Sequence, residues 1–358
     1  MLDIFYLIVV FLLRNITKER DVKMVAGYVL KLIISLFVIL LGCTFFTNAV
    51  EWFGKKLNLA DGAVGSILAA VGTALPETII PIIAILFSKG ESSHQVGIGA
   101  IAGAPFMLGT LAFFITGLAV IVYTLLKKRT LKMNVDLSVF ERDLTYFMIV
   151  YGIAVATTFI HNHKVIRTII AFILFVAYLI YVKKTLADES ENEETQELEE
   201  LYFTRFLKLP NNLLWISVQL ILSLAIIIFG AHLFVEYVQK VATLIGISTL
   251  VLSIIITPIA TELPEKLNSV IWIGKKKDTL AIGNITGAMV FQSSVPVVFG
   301  IIFTPWNLKG ITMVSAILAF SSAVLNLLWV KIRKNVNPFA LLFGGVLYLI
   351  FIAYVFWI

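Results

Sequence analysis

The chain alternates long apolar runs with short polar breaks. A bilayer core requires about 20 apolar residues per helical crossing. Ten runs reach that length, near 24–53, 62–88, 95–126, 139–160, 164–183, 211–240, 247–273, 279–304, 309–331 and 338–357. The pattern predicts an all-α polytopic membrane protein, because a lipid-embedded chain must satisfy its backbone hydrogen bonds internally and a helix does so within one segment. Residues 1–13 are apolar but short for a crossing, and no basic residue precedes them as in a secretory signal; they read as an interfacial or partial helix.

Composition agrees with this pattern. Hydrophobic residues make up 59% of the chain and charged ones 14%, with a mean hydropathy of +0.98, outside the range of soluble domains. Cys43 is the single cysteine, so no intrachain disulfide forms, and it reads as a packing residue. The net charge of +6 comes without a basic stripe interleaved with aromatics, so no nucleic-acid partner is expected. Sorted by connection, seventeen Lys and Arg residues fall on one side of the membrane and nine on the other, with Lys31 and Lys266 inside helices. The positive-inside rule makes the richer side cytoplasmic and places both termini outside the cell membrane. Eight carboxylates between Asp188 and Glu200 repel one another and cannot enter lipid, so this segment reads as an acidic cytoplasmic linker.

The chain also repeats itself. AAVGTALPET at 69–78 is echoed by TPIATELPEK at 257–266, an offset of 188 that also pairs Gly42 with Gly230 and Phe46 with Phe234. GIGAIAGA at 97–104 is echoed by AIGNITGA at 281–288 at an offset of 184. The organisation that follows is an N-terminal apolar segment and polar loop at 1–23, a first five-helix repeat at 24–186, the linker at 187–210 and a second five-helix repeat at 211–358. Five is odd, so the second repeat enters the membrane from the opposite side; such inverted repeats carry transport sites at the midplane, between broken helices.

The repeated motif holds the candidate chemistry. Glu77, Glu262 and Glu265 lie in apolar helices, where a charged carboxylate costs about 2.5–3.5 kcal/mol on insertion scales and usually marks a pathway or an ion site. A proline has no N–H to give the carbonyl four residues earlier, so Pro76 frees the Gly72 carbonyl and Pro264 that of Ala260. Thr73 and Glu77, like Thr261 and Glu265, are four residues apart on one helix face, so hydroxyl, carbonyl and carboxylate oxygens converge. Oxygen ligands with carboxylates suit hard cations such as Ca2+ or Na+. Glycines 99 and 103, and 283 and 287, allow another backbone to approach the following helices closely.

GTALPE and ATELPE, followed by GIGAIAGAPF and GNITGAMVF, resemble the two alpha-repeats of the cation/calcium antiporter superfamily, of the sodium/calcium exchanger type. The resemblance implies that Glu77 and Glu265 are the central metal-binding carboxylates, with Thr73 and Thr261 supplying oxygens. It also implies that the helices at 24–53 and 211–240 slide during alternating access. The chain departs from the pattern at Leu108 and Gln292, where the family carries Asn or Asp, and at Ala104, Pro105, Ala288 and Met289 in the glycine motifs. Glu262 replaces a motif serine, and Lys266 follows it at the favourable four-residue spacing. Glu262 and Lys266 either neutralise each other or Glu262 ligates an ion, with Gln292 nearby in the motif.

The function expected is a secondary antiporter exchanging Ca2+, or a related divalent cation, against Na+ or H+ by alternating access. The alternative is a degenerate, non-exchanging cation-binding membrane protein with a structural or regulatory role. Neither a GxxxxGK[ST] nor an HExxH motif occurs, so ATP-driven pumping and hydrolase chemistry are not expected. The partners are inorganic cations and the lipid bilayer, and no cofactor is implied beyond the transported ions.

Overall fold

The computed structural model describes residues 19–56, 75–160, 163–189 and 199–357. Its helices are α1 Glu19–Lys56, α2 Leu75–Ile82, α3 Glu91–Met107, α4 Phe113–Leu125, α5 Leu137–Ala156, α6 Lys164–Glu189 and the short α7 Tyr202–Leu207. They continue with α8 Leu213–Ile245, α9 Thr249–Gly274, α10 Asp278–Gln292, α11 Val295–Phe303, α12 Ile311–Arg333 and α13 Pro338–Trp357. Among the described residues, eight helical stretches are long and apolar enough to cross a membrane, and two shorter ones are Pro76–Phe87 and Thr249–Glu262. These ten elements correspond to the ten apolar runs. The part of the second run before Leu75 lies outside the described residues.

Local chemistry sets several boundaries. The Asn212 side chain accepts from the Trp215 N–H at 3.1 Å to start α8, a capping arrangement that satisfies an orphan donor. Gly246 ends α8 with φ +70, where a glycine avoids the left-handed penalty. Asp136 caps α5 by accepting from the Ser138 N–H and Oγ, and these bonds hold its carboxyl below the usual range. The helix of the third run crosses in one 35-residue stretch, Glu91–Leu125, with a π-turn at Leu108–Ala112. A π-turn releases carbonyls from the regular ladder, and Ser322 Oγ donates to that of Gly109.

One expectation is corrected. The proline in the second motif predicts a broken helix, yet α9 runs without interruption from Thr249 to Gly274 through Pro258 and Pro264. In membrane helices the backbone groups freed by proline are satisfied by neighbouring helices and side chains, so the missing bond need not end the helix.

The chain forms two compact units, each drawing on both halves of the sequence. The first comprises residues 1–97 and 186–253. In it α1 and α8 run antiparallel along their lengths. Tyr28 meets Tyr237 with ring centroids 6.0 Å apart, and near the other end Asn48 Oδ1 accepts from Gln219 Nε2 at 3.1 Å. They cross at two glycines. A Cβ on Gly42 would lie 2.8 Å from Ile227 Cγ1, and one on Gly230 would lie 2.9 Å from Ile39 Cγ1. Adding 188 to Gly42 and Ile39 gives Gly230 and Ile227, so the sequence repeat maps each contact onto the other. Ser35 and Ser223, related by the same offset, each donate to the carbonyl three residues earlier, at 2.7 and 3.0 Å. The pseudo-two-fold of an inverted repeat is therefore visible within this helix pair. The end of the acidic segment is tied to it: Trp52 Nε1 donates to the Glu199 carbonyl at 2.8 Å, and the Tyr202 N–H donates to Asn48 Oδ1 at 3.0 Å.

The second unit comprises residues 98–185 and 254–358. Here α13 packs on α4, α10 on α5, and α12 on both α5 and α13. Close backbone approach again falls at small residues. A Cβ on Gly103 would lie 2.3 Å from the Ile254 carbonyl, and one on Gly344 would lie 2.4 Å from that of Thr110. The Gly103 contact places α3 against α9, as the glycine spacing predicts. Among the described residues, no atom comes within 4 Å of a Cβ on Gly283, so the companion motif has no such contact there.

Candidate cation site

The sequence-derived site residues divide between the two units, and each group is described within its own. In the first unit, Glu77 stands in the first turn of α2 and is 5% exposed. Its helix otherwise reads LPETIIPI, so this carboxylate is enclosed in an apolar segment. Gly72 and Thr73 lie outside the described residues.

In the second unit, α9 and α10 form a helical hairpin with a polar seam. Glu262, Lys266 and Ser269 follow one another at helical spacing on α9, while Asn284 and Gln292 lie two turns apart on α10. The hairpin is antiparallel, so Ser269 meets Asn284 near the loop and Glu262 meets Gln292 farther along. Asn284 Nδ2 donates to Ser269 Oγ at 3.1 Å, and Gln292 Nε2 donates to Glu262 Oε1 at 2.7 Å. Lys266 Nζ stands 3.5 Å from Glu262 Oε2, and both side chains are 2% exposed. The same ammonium donates to the Asn284 carbonyl at 3.2 Å and approaches Asn284 Oδ1 at 3.5 Å.

Thr261 is buried, and its hydroxyl donates to the Thr257 carbonyl at 3.1 Å, leaving its oxygen lone pairs free to accept. Ala260 is half-buried on the same helix, and its carbonyl lacks the N–H that Pro264 does not possess. Glu265 has its backbone in α9, with its side chain outside the described atoms. The structure thus brings together Glu262 and Gln292, and it gives Glu262 the Lys266 partner that the four-residue spacing predicts. Leu108, where the resemblance leads one to expect a polar ligand, is fully buried in the π-turn.

Two further charged clusters lie outside the repeated acidic motifs. Asp143, 1% exposed in α5, accepts from Thr286 Oγ1 at 2.6 Å, Tyr181 OH at 3.0 Å and Arg142 Nε at 3.1 Å. Its sequence signal was a carboxylate inside the apolar run at 139–160. Arg129 grips Asp278 through two bonds of 2.7 and 2.9 Å and donates to the Ile273 carbonyl at 2.8 Å. Such bidentate geometry suits a guanidinium that must be buried.

The comparisons with known proteins agree with this architecture. The family model described as sodium/calcium exchanger protein matches residues 27–183 and 215–358. An uncharacterized membrane protein of Methanocaldococcus jannaschii is 25% identical over 302 residues, covering 84% of this chain and 88% of that protein. The inner membrane protein YrbG of Escherichia coli is 24% identical over 338 residues, covering 91% and 96%. Among solved structures, the H+/Ca2+ exchanger CAX superposes with a TM-score of 0.68 at 15% identity, covering 91% of this chain and 81% of that one. The sodium-calcium exchanger NCX_Mj gives 0.54 at 20% identity, covering 93% and 99%. With the family model matching most of both halves, this multi-pass membrane protein belongs to the sodium/calcium exchanger family.

Proposed function

We propose that the chain is a secondary antiporter that exchanges Ca2+, or a related divalent cation, against Na+ or H+ by alternating access. The observation that carries this reading is the enclosure of motif carboxylates in apolar helices: Glu77 in α2 and Glu262 in α9 are both buried. Carboxylates at that depth are costly unless an ion path needs them. In this reading the principal ligands are Glu77 in the first repeat, with the Gly72 and Thr73 oxygens of its motif, and Glu265 in the second, with the Ala260 and Thr261 oxygens of its own. Glu262 and Gln292 shape the site beside them. The α1/α8 pair, packed along its length within one compact unit, moves as one body. The acidic segment faces the cytoplasm, and both termini lie outside.

A second reading, a cation-binding protein that does not exchange, draws on Leu108 and on the internal neutralisation of Glu262 by Lys266. Divalent-cation uptake into proteoliposomes under imposed Na+ and then pH gradients separates the two. Exchange is expected to require one of these gradients and to fall at least about tenfold in Glu77→Gln and in Glu265→Gln, since each loses a charged ligand worth more than about 1.4 kcal/mol. Absence of uptake under either gradient would favour the non-exchanging reading.

A further inference from the structure

The Lys266 ammonium has an environment that a structural ion pair does not require. Among the described residues, oxygens of three different kinds lie beside it: the carboxylate Oε2 of Glu262 at 3.5 Å, the backbone carbonyl of Asn284 at 3.2 Å and the amide Oδ1 of Asn284 at 3.5 Å. Carboxylate, carbonyl and amide oxygens are the donor set that proteins offer to hard cations. Both side chains are also positioned from behind. Gln292 holds the other oxygen of Glu262, and Ser269 accepts from the Asn284 amide nitrogen. Since an ammonium only donates and an amide nitrogen cannot accept, Asn284 must present its oxygen to Lys266. A lysine, unlike an arginine, delivers its charge as a compact point on a flexible stem, and this one delivers it to the interior of a membrane helix.

We propose that this oxygen cluster is a monovalent-cation site with a resident occupant, and that the Lys266 ammonium stands where a mobile Na+ or K+ would otherwise bind. The inference rests on the exchanger reading for its consequence in transport, but not for the binding itself. Its physical sense lies in neutrality. With the transported ion gone, Glu262 remains paired with a covalently held cation, so the emptied second-repeat helix carries no net charge from this pair and needs no mobile ion to neutralise it. Lys266 is then a specificity-determining residue that lowers by one the number of monovalent ions coupled to each divalent cation.

The test removes the ammonium and leaves the oxygens. Lys266→Ala and Lys266→Ser, purified in detergent, would be compared with the parent by thermal unfolding in NaCl, KCl and N-methyl-D-glucamine chloride at constant ionic strength. Both variants are expected to gain a saturable stabilisation by Na+ or K+ that the parent lacks, and Lys266→Ala/Glu262→Gln is expected to lose it. In proteoliposomes, the gradient that nulls divalent flux should shift for Lys266→Ala by the equivalent of one additional monovalent ion. No added cation dependence in either variant would overturn the proposal. So would failure of both to fold in saturating Na+ and K+, because a mobile ion would then not replace the ammonium. A parent that moves no divalent cation would sink the exchange reading while leaving the binding result to stand on its own.

Discussion

At the scale of single residues, the polar seam between α9 and α10 concentrates the energetic risk. Glu262 is enclosed, and its Oε1 depends on the 2.7 Å bond from Gln292. A hydrogen bond to a charged group contributes about 1.5–3 kcal/mol, and its loss exposes the acceptor to the full cost of burial. Gln292→Leu is therefore expected to lower thermal stability by about that amount, whereas Gln292→Leu/Glu262→Leu, which also strips the buried Lys266 of its counter-charge, should lose more. Thermal unfolding in detergent checks both, and equal losses in the two variants would contradict the coupling. The Glu262 to Lys266 pair was legible in the sequence because four residues are one helical turn. Asn284 stands in the second glycine motif, but its service to Lys266 was not legible, since that depends on the register of the α9–α10 hairpin. Asp143 was not legible for another reason: it lies outside the two repeated motifs, and its partners Thr286 and Tyr181 come from distant helices.

Among the elements, the α1/α8 crossing shows how a repeat in sequence becomes symmetry in space. Gly42 and Gly230 each receive the isoleucine that precedes the other by three residues. Adding a methyl at either site meets an isoleucine side chain below 3.0 Å and a backbone nitrogen at 3.2 Å. Overpacking of this kind typically costs about 1–3 kcal/mol, so Gly42→Ala and Gly230→Ala are expected to lower the unfolding temperature by similar amounts. A large loss in one and none in the other would mean that the crossing is not equivalent on its two sides. The pairing of these glycines could be read from the offset of 188 alone. The π-turn at Leu108–Ala112 could not, because its sequence LGTLA carries no helix-breaking residue and the turn is settled by tertiary contacts, with Ser322 on the Gly109 carbonyl and Gly344 against Thr110. Nor could the continuity of α9, since Pro264 read in isolation argues for a break.

For the whole molecule, a buried ion pair ties two connections together. The Arg129–Asp278 pair joins the connection after α4 to the start of α10, with both side chains almost fully enclosed. Removing one partner of a buried pair leaves an uncompensated charge and costs about 3–5 kcal/mol. Arg129→Met and Asp278→Leu are each expected to destabilise on that scale, and Arg129→Met/Asp278→Leu by less than their sum, as a thermal double-mutant cycle would read. The distribution of charge predicts an orientation. Lys275, Lys276 and Lys277 belong to the basic-rich side, and Lys309 lies on the other, separated by the single span Asp278–Phe303. Lys276 and Lys309 are both exposed, so a cysteine at either should react where reagent reaches it. In a Cys43→Ser background, a membrane-impermeant maleimide added to intact cells is expected to label Lys309→Cys and spare Lys276→Cys, and to label both after permeabilisation. The reverse pattern would invert the topology and put the acidic segment outside. Labelling of both in intact cells would mean something stronger, that the span between them does not cross, and the inverted repeat would lose the odd number of crossings on which it depends.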